Sequence, residues 1–209
     1  MTATKLVLWR HGQTDFNVEG RVQGISDVPL NAKGMAQARA AAEELSGLGP
    51  LEIVTSKLAR ARMTANALAE VTGAKVRVVD DLIERSFGCL EGMTVAQMKA
   101  AYPDYYAEWR GSGECVEAGI EPRGTVGNRV ASAIRQEFDA TGEGRVLVVV
   151  SHGSALTQGL VSLLGLDAGA WAGIRGLDNC HWAEIIPAQR EPLWRIASYN
   201  VGVSQVTRA

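Results

Sequence analysis

The sequence predicts a three-layer α/β/α sandwich built on a mostly parallel central sheet. Short apolar runs alternate with stretches of helical periodicity, in the order β-α-β-α-β, helices, then β-α-β-β. Most of these runs are continuous rather than alternating, the pattern of strands covered on both faces. Only the closing stretch alternates, in two runs around Trp182–Ile186 and Trp194–Tyr199, which reads as an antiparallel pair joined through Pro187 to Pro192.

Taken in order, Leu6-Val7-Leu8-Trp9 is a buried strand, and Asn31 caps a helix that runs to about Leu45. Leu51 to Thr55 is the second strand. The helix after it carries Leu58, Ala61, Ala65, Leu68 and Thr72 on one face, and Val76 to Val79 is the third strand. A loop ending in Glu91-Gly92 precedes Thr94-Val95-Ala96-Gln97, a capping box that opens another helix. Tyr102 to Gly124 reads as polar, aromatic and irregular. A helix then turns Val126, Val130, Ala133, Ile134 and Phe138 inward. Val146 to Val150 is the most apolar strand, and the helix beyond it stops near Gly165.

The chain has 209 residues, 46% hydrophobic and 21% charged, enough for one well-buried core. With no repeats and no linker, residues 1–209 read as a single domain, with 93–124 as a cap or specificity segment. A net charge of −2 offers nothing to nucleic acid or an anionic membrane. No apolar run is long enough to span a bilayer, and the first residues do not resemble a secretory signal. Cys89, Cys115 and Cys180 lack metal-type spacing and read as free thiols of a cytoplasmic protein. An edge strand or the C-terminal hairpin is where two copies could pair as a homodimer.

Two of the three histidines occupy equivalent places: His11 in Arg10-His11-Gly12 after the first strand, His152 in Ser151-His152-Gly153 after the most buried one. Ligands of parallel α/β sheets bind outside the carboxyl ends of the strands, and each histidine has a glycine beside it that lets backbone approach a ligand. If the strands are neighbours, the imidazoles face each other across one site. Incidental loop histidines and a zinc site are the competing readings, the latter weakened by the absence of an H-x-x-x-H pair.

Arg10 precedes His11, and Arg60 lies near the start of the helix after the second strand, again on the carboxyl edge. Guanidinium groups grip phosphate in a bidentate way and need no metal to stabilise charge on a transferring phosphoryl group. A histidine nucleophile must be neutral, which nearby arginines favour. Glu84, on the loop after the third strand, can reach the same edge as a proton donor to the leaving oxygen. Neutral His11 with protonated Glu84 implies a bell-shaped pH profile with a mildly acidic to neutral optimum.

Arg10-His11-Gly12-Gln13-Thr14, Ser56…Leu58…Arg60-Ala61…Thr64, Leu82-x-Glu84-x-x-x-Gly88-x-x-Glu91-Gly92 and Ser151-His152-Gly153 occur in the order and rough spacing of the histidine phosphatase superfamily, the phosphoglycerate-mutase-like proteins. The chain resembles that family over nearly its whole length. The resemblance implies that His11 becomes phosphohistidine, that Arg10, Arg60 and His152 complete the phosphate pocket, and that Glu84 is the general acid. It further implies that Asn17 hydrogen-bonds the phosphate and that Gln23 and Gly24 line the mouth, while Gly153, beside His152, is the glycine that lets backbone approach the substrate. No cofactor or metal is implied.

Two departures stand out. Gly119-Ile120-Glu121-Pro122 has proline where phosphatases of the family often carry serine, and His181 is bulky where a small residue is usual. His181 therefore reads as structural or as part of a pocket rim. Three functions remain: a phosphatase of small phosphate monoesters, a cofactor-dependent phosphoglycerate mutase, and a non-catalytic phosphate-binding protein. The segment from Gly92 to Gly124 favours the phosphatase. It holds Lys99, Arg110 and Arg123 against Asp104, Glu108, Glu114, Glu117 and Glu121, where mutases carry a basic insertion. Among such phosphatases, the chain is similar to the branch acting on glucosyl-3-phosphoglycerate. Tyr105, Tyr106 and Trp109 could either pack on a sugar or pack between helices.

Overall fold

The computed structural model describes residues 3–203. Its strands are β1 (Lys5–Arg10), β2 (Leu51–Thr55), β3 (Val76–Val78), β4 (Val146–Ser151), β5 (Trp182–Pro187) and β6 (Trp194–Val201). They form one sheet in the order β3-β2-β4-β1-β5-β6. The first four are mutually parallel, β5 runs antiparallel to β1, and β6 antiparallel to β5.

The helices are α1 (Asp15–Glu19), α2 (Ala32–Ser46), α3 (Ala59–Thr72), α4 (Val95–Ala101), α5 (Pro103–Ser112), α6 (Arg123–Ala140) and α7 (Gly153–Leu163). Side chains alternate across a strand, so β1 serves two cores. Leu6 and Leu8 pack with Val126, Val130, Ile134, Leu156 and Leu160 of α6 and α7. Val7 and Trp9 pack on the other face with Ala38, Ala41, Leu45, Ala65 and Leu68 of α2 and α3. The three expected layers follow from that alternation.

Local signals set most boundaries. Asn31 Oδ1 accepts the Gly34 N–H at 2.9 Å and starts α2 as its sequence suggests. Leu58 gives α3 no side-chain cap, and the Asp27 carboxylate accepts the Ala59 N–H instead, at 2.6 Å. The loop after β1 lies against the start of α2 so closely that a Cβ on Gly12 would sit 2.6 Å from the Gly34 carbonyl oxygen.

The stretch read as irregular from Tyr102 contains a helix, α5. Pro103 takes its first position, where a missing N–H costs nothing, and Gly113 closes it in the left-handed region at φ 80°. Together with α4 it covers a third, small core of Leu90, Met98, Cys115, Ala118 and Ile120, against which Tyr102, Tyr105, Tyr106 and Trp109 pack.

Candidate active site

Arg10 lies opposite Ser151 in the β1–β4 register, so His11 and His152 leave the sheet at the same level. Their ring centroids are 5.2 Å apart. His11 Nδ1 is 2.7 Å from the Gly12 carbonyl oxygen, which can only accept, so Nδ1 carries the proton and Nε2 keeps its lone pair. Arg60 Nε, which can only donate, meets His152 Nδ1 at 3.2 Å. The proton of His152 therefore sits on Nε2, directed at Ser56 Oγ 2.8 Å away. Both rings are buried. Burial, then the Arg60 and Arg10 guanidiniums, hold His11 well below the usual imidazole range. Burial and Arg60, with His11 and Arg10, do the same for His152.

Arg60 is fully buried, and its Nη1 and Nη2 donate to the Ser26 and Gly24 carbonyls at 2.7 and 2.8 Å. Burial lowers it to about 10, so it keeps its charge at neutral pH. A guanidinium has five N–H groups, so those three bonds leave one N–H on each terminal nitrogen for a ligand. Arg10 Nη1 donates to the Leu177 carbonyl at 2.5 Å. Its Nε is buried and finds no acceptor among the described residues. Gly153 begins α7 beneath that guanidinium, and a Cβ there would lie 3.5 Å from Arg10 Nε, an ordinary contact.

The two amides near the mouth are oriented by Thr14, the N-cap of α1. Asn17 Oδ1 accepts the Thr14 N–H at 3.1 Å and Asn179 Nδ2 at 3.2 Å, leaving the Asn17 NH₂ as the donor it can offer a ligand. Gln23 Oε1 accepts from Thr14 Oγ1 at 2.9 Å, which fixes that amide the same way. Gly24 has φ +53°, and a Cβ there would fall 2.0 Å from Glu91 Oε1. Glu91 accepts from the Ile25 N–H (3.1 Å), the Phe87 N–H (2.9 Å) and Ser26 Oγ (3.1 Å). It thus braces the loop whose carbonyls aim Arg60.

Glu84 reaches the same edge from its loop. Its Oε1 accepts the Arg85 and Ala155 N–H groups at 2.8 and 2.7 Å, and Oε2 accepts the Ser154 N–H at 3.1 Å. The carboxyl therefore rests on the N-terminus of α7, where backbone donors and the helix dipole favour it. Behind the loop, Arg129 pairs with Glu121. Burial works to raise the Glu121 carboxyl, but Arg129, the Ser86 N–H and Arg85 outweigh it and hold it below its ordinary value. Pro122, where serine was expected, offers α6 no side-chain cap, and Glu114 Oε1 accepts the Arg123 N–H instead, at 2.9 Å.

The sequence reading gave no role to Ser56, Asn179, Arg129 or Glu91 as supports. Their effects run through contacts with distant residues, and only the Ser56 and Glu91-Gly92 motif positions hinted at two of them. His181 lies beside a separate pocket of about 260 Å³, lined also by Gln37, Ala40, Asn179, Cys180 and Val203. Its Nδ1 is 3.1 Å from the Asn179 carbonyl oxygen. Burial pushes the adjacent Cys180 thiol up to about 12, and all three cysteines are free.

Residues 6–202 match the family model of the histidine phosphatase superfamily, branch 1. The chain belongs to this superfamily. As a histidine phosphatase it is a phosphomonoesterase acting on small phosphate esters. It is 38% identical over 192 residues to glucosyl-3-phosphoglycerate phosphatase of Mycobacterium tuberculosis, covering 88% of this chain and 86% of that protein. A probable phosphoglycerate mutase of Serratia proteamaculans is 33% identical over 187 residues, covering 87% and 84%. Among solved structures, the vanadate (VO3) complex of mycobacterial glucosyl-3-phosphoglycerate phosphatase superposes with a TM-score of 0.85 at 36% identity, covering 96% of this histidine phosphatase and 100% of that chain. No helix among its described residues is long and apolar enough to cross a membrane.

Proposed function

We propose that this phosphatase moves the phosphoryl group of a glucosylated 3-phosphoglycerate onto His11 Nε2 and then onto water. One observation carries the chemistry. A neutral imidazole whose Nε2 keeps its lone pair lies beside Arg10, whose buried Nε has no acceptor among the described residues, an arrangement that a bound phosphate oxygen would complete. The relative that shares 38% of its residues supports the substrate.

The phosphate would rest on Arg10, the two remaining N–H groups of Arg60 and the amides of Asn17 and Gln23, with Gly24 and Gly153 bringing backbone close. His152 Nε2–H would be shared between Ser56 and a phosphate oxygen. As the Nε2 lone pair forms the N–P bond, the ester P–O bond breaks and its electron pair takes a proton from Glu84. Glu84 Oε2 suits this step because it accepts one backbone N–H where Oε1 accepts two. The positive charge that develops on the ring is met at Nδ1–H by the Gly12 carbonyl. Water then attacks phosphorus, gives its proton to Glu84 and releases neutral His11. The two guanidiniums supply the charge stabilisation, so no metal step is needed. We place the enzyme in the cytoplasm, where its free thiols stay reduced, and expect a monomer or homodimer.

The test is phosphate release in EDTA from a panel that includes glucosyl-3-phosphoglycerate and an aryl phosphate, for wild type and His11→Ala. An isomerisation assay on 3-phosphoglycerate with its bisphosphorylated primer runs alongside. Hydrolysis that survives EDTA and falls at least about 10⁴-fold in His11→Ala is the expected result. Glucosyl-3-phosphoglycerate turning over no faster than the aryl phosphate would remove that substrate, and rapid isomerisation with little hydrolysis would remove the phosphatase reading.

A further inference from the structure

Arg129, on the second turn of α6, has its whole hydrogen-bonding capacity committed to one neighbourhood. Nη1 donates to the Asp81 and Ile83 carbonyls, both at 2.7 Å. Nη2 donates to the Glu84 carbonyl at 3.1 Å and to Glu121 Oε2 at 2.9 Å. Nε donates to Glu121 Oε1 at 2.8 Å. Five N–H groups meet five acceptors, three of them carbonyls of the segment that carries Glu84. Those three carbonyls converge because the chain makes a 3-10 turn at Asp80–Leu82 and then bends into Glu84. No other side chain bonds more than one of them among the described residues.

The segment is therefore clamped from two directions. Its carbonyls are gathered by α6 through Arg129, and its Glu84 carboxyl is seated on the N-terminus of α7. Glu121 sets the plane of the fork through a two-point pair with Arg129. Its own backbone N–H donates to the Ser86 carbonyl at 3.0 Å, which ties that pair to the far side of the same loop. Arg85, next to Glu84, adds bonds to the Glu121 carbonyl at 2.6 Å and to Glu114 Oε2 at 2.7 Å.

We infer that Arg129, held by Glu121, is the positioning residue that keeps the Glu84 carboxyl in register with the leaving oxygen. This rests on the phosphohistidine reading above, in which Glu84 gives that oxygen its proton. Arg129 touches neither the histidines nor the pocket arginines through any hydrogen bond of the described residues. Its loss should therefore spare phosphate binding and the nucleophile while misplacing the acid. A displacement of about 1 Å in such a group costs up to roughly 100-fold. Lysine cannot substitute, since a point charge with three donors has no planar fork to gather three carbonyls and a carboxylate.

The experiment compares kcat/KM, which reports the first irreversible transfer to His11, for glycerol 2-phosphate and 4-nitrophenyl phosphate. The alkoxide of the first needs a proton to leave, whereas 4-nitrophenolate departs without one. Arg129→Lys and Glu121→Gln are expected to lower kcat/KM about 10- to 100-fold on the alkyl ester and to leave the aryl ester nearly unchanged. In a Glu84→Gln background the Arg129→Lys penalty on the alkyl ester should vanish, because its effect runs through Glu84. Equal losses on both esters, or a full penalty persisting in Glu84→Gln, would make Arg129 a general structural support and overturn the inference. So would unchanged alkyl turnover in a folded variant. If Arg129→Lys does not fold, Glu121→Gln carries the same comparison. Wild type that hydrolyses neither ester and takes no label onto His11 would instead bring down the phosphohistidine reading itself.

Discussion

At the ends of β1 and β4 the register of two strands brings the imidazoles to one level, whereas the loop that carries Glu84 takes its shape from side chains elsewhere in the chain. Two neighbouring parallel strands put His11 and His152 at one level, and the Gly12 carbonyl fixes the His11 tautomer one residue away. Glu84 depends on Arg129 and Glu121, 45 and more positions downstream for the arginine, and on backbone donors of α7 about 70 positions away. Sheet geometry is set by many backbone hydrogen bonds and tolerates local change, so the proposed nucleophile is robustly placed. A loop held by a few charged contacts is the part of the site that single substitutions can move. The proposed phosphate pocket and the proposed proton donor should therefore fail in different ways.

The largest expected effect comes from the strand-edge half. Arg60→Ala removes a buried charge along with its bonds to Gly24, Ser26 and His152. We expect kcat/KM to fall about 100- to 1,000-fold, on alkyl and aryl phosphates alike, because charge on the transferring group is stabilised whatever the leaving group. Steady-state kinetics on the two ester types checks this. A loss confined to the alkyl ester would place Arg60 with the proton donor and erase the contrast between the halves.

That contrast also explains what could be read from the sequence. Strands and their succession along the chain were legible because continuous apolar runs such as Val146–Val150 have few other ways to be buried, whereas their order in the sheet was not. His11, His152 and Arg60 followed from their places at strand ends. The helix α5 was missed although Pro103 and Gly113 mark its two ends, since Tyr105, Tyr106 and Trp109 are weak helix formers and the segment lacks an obvious apolar stripe. The short helix α1 escaped because Thr14 is capped reciprocally by Asn17 rather than by the usual Glu or Gln. Arg129 could not have been singled out at all: an arginine on the polar side of an amphipathic helix carries no mark of the loop it will meet. Long-range side-chain contacts leave no periodicity, which is why the supports of Glu84 became visible only in three dimensions.

A smaller effect separates the halves by pH. His11 and His152 are held neutral in the fold, while in the unfolded chain each titrates near 6.5. Below that value the unfolded state binds more protons, so stability rises with pH and is lost as the pH drops beneath about 6.5. The slope is at most about 1.4 kcal/mol per pH unit for each histidine. Urea midpoints between pH 7.5 and 5.5 should show this for wild type, with roughly half the slope in His152→Gln. An unchanged slope in that variant would mean that the strand-edge pocket does not exclude protons as its burial implies, and that the acid sensitivity belongs to other groups.

The smallest effect on catalysis is expected from the aromatic residues of the segment 93–124. Trp109 meets Phe87 edge-on at 5.7 Å and Tyr106 at 6.4 Å, and all three pack on the small core of Leu90, Met98 and Ile120. Each edge-to-face pair contributes about 0.5–1.5 kcal/mol beyond its buried area, so Trp109→Ala should cost at least about 1–3 kcal/mol of stability. Turnover of 4-nitrophenyl phosphate should be nearly unchanged, because Phe87 stays tied to Glu91 through its backbone N–H even when its ring loses a neighbour. The glucosylated substrate makes the measurement discriminating. If Trp109 only packs, both substrates keep their kcat/KM in the folded variant. A selective loss on the glucosylated ester would turn the same ring into a sugar platform, and would extend the side-chain-held half of the site from the acid to the recognition of the substrate.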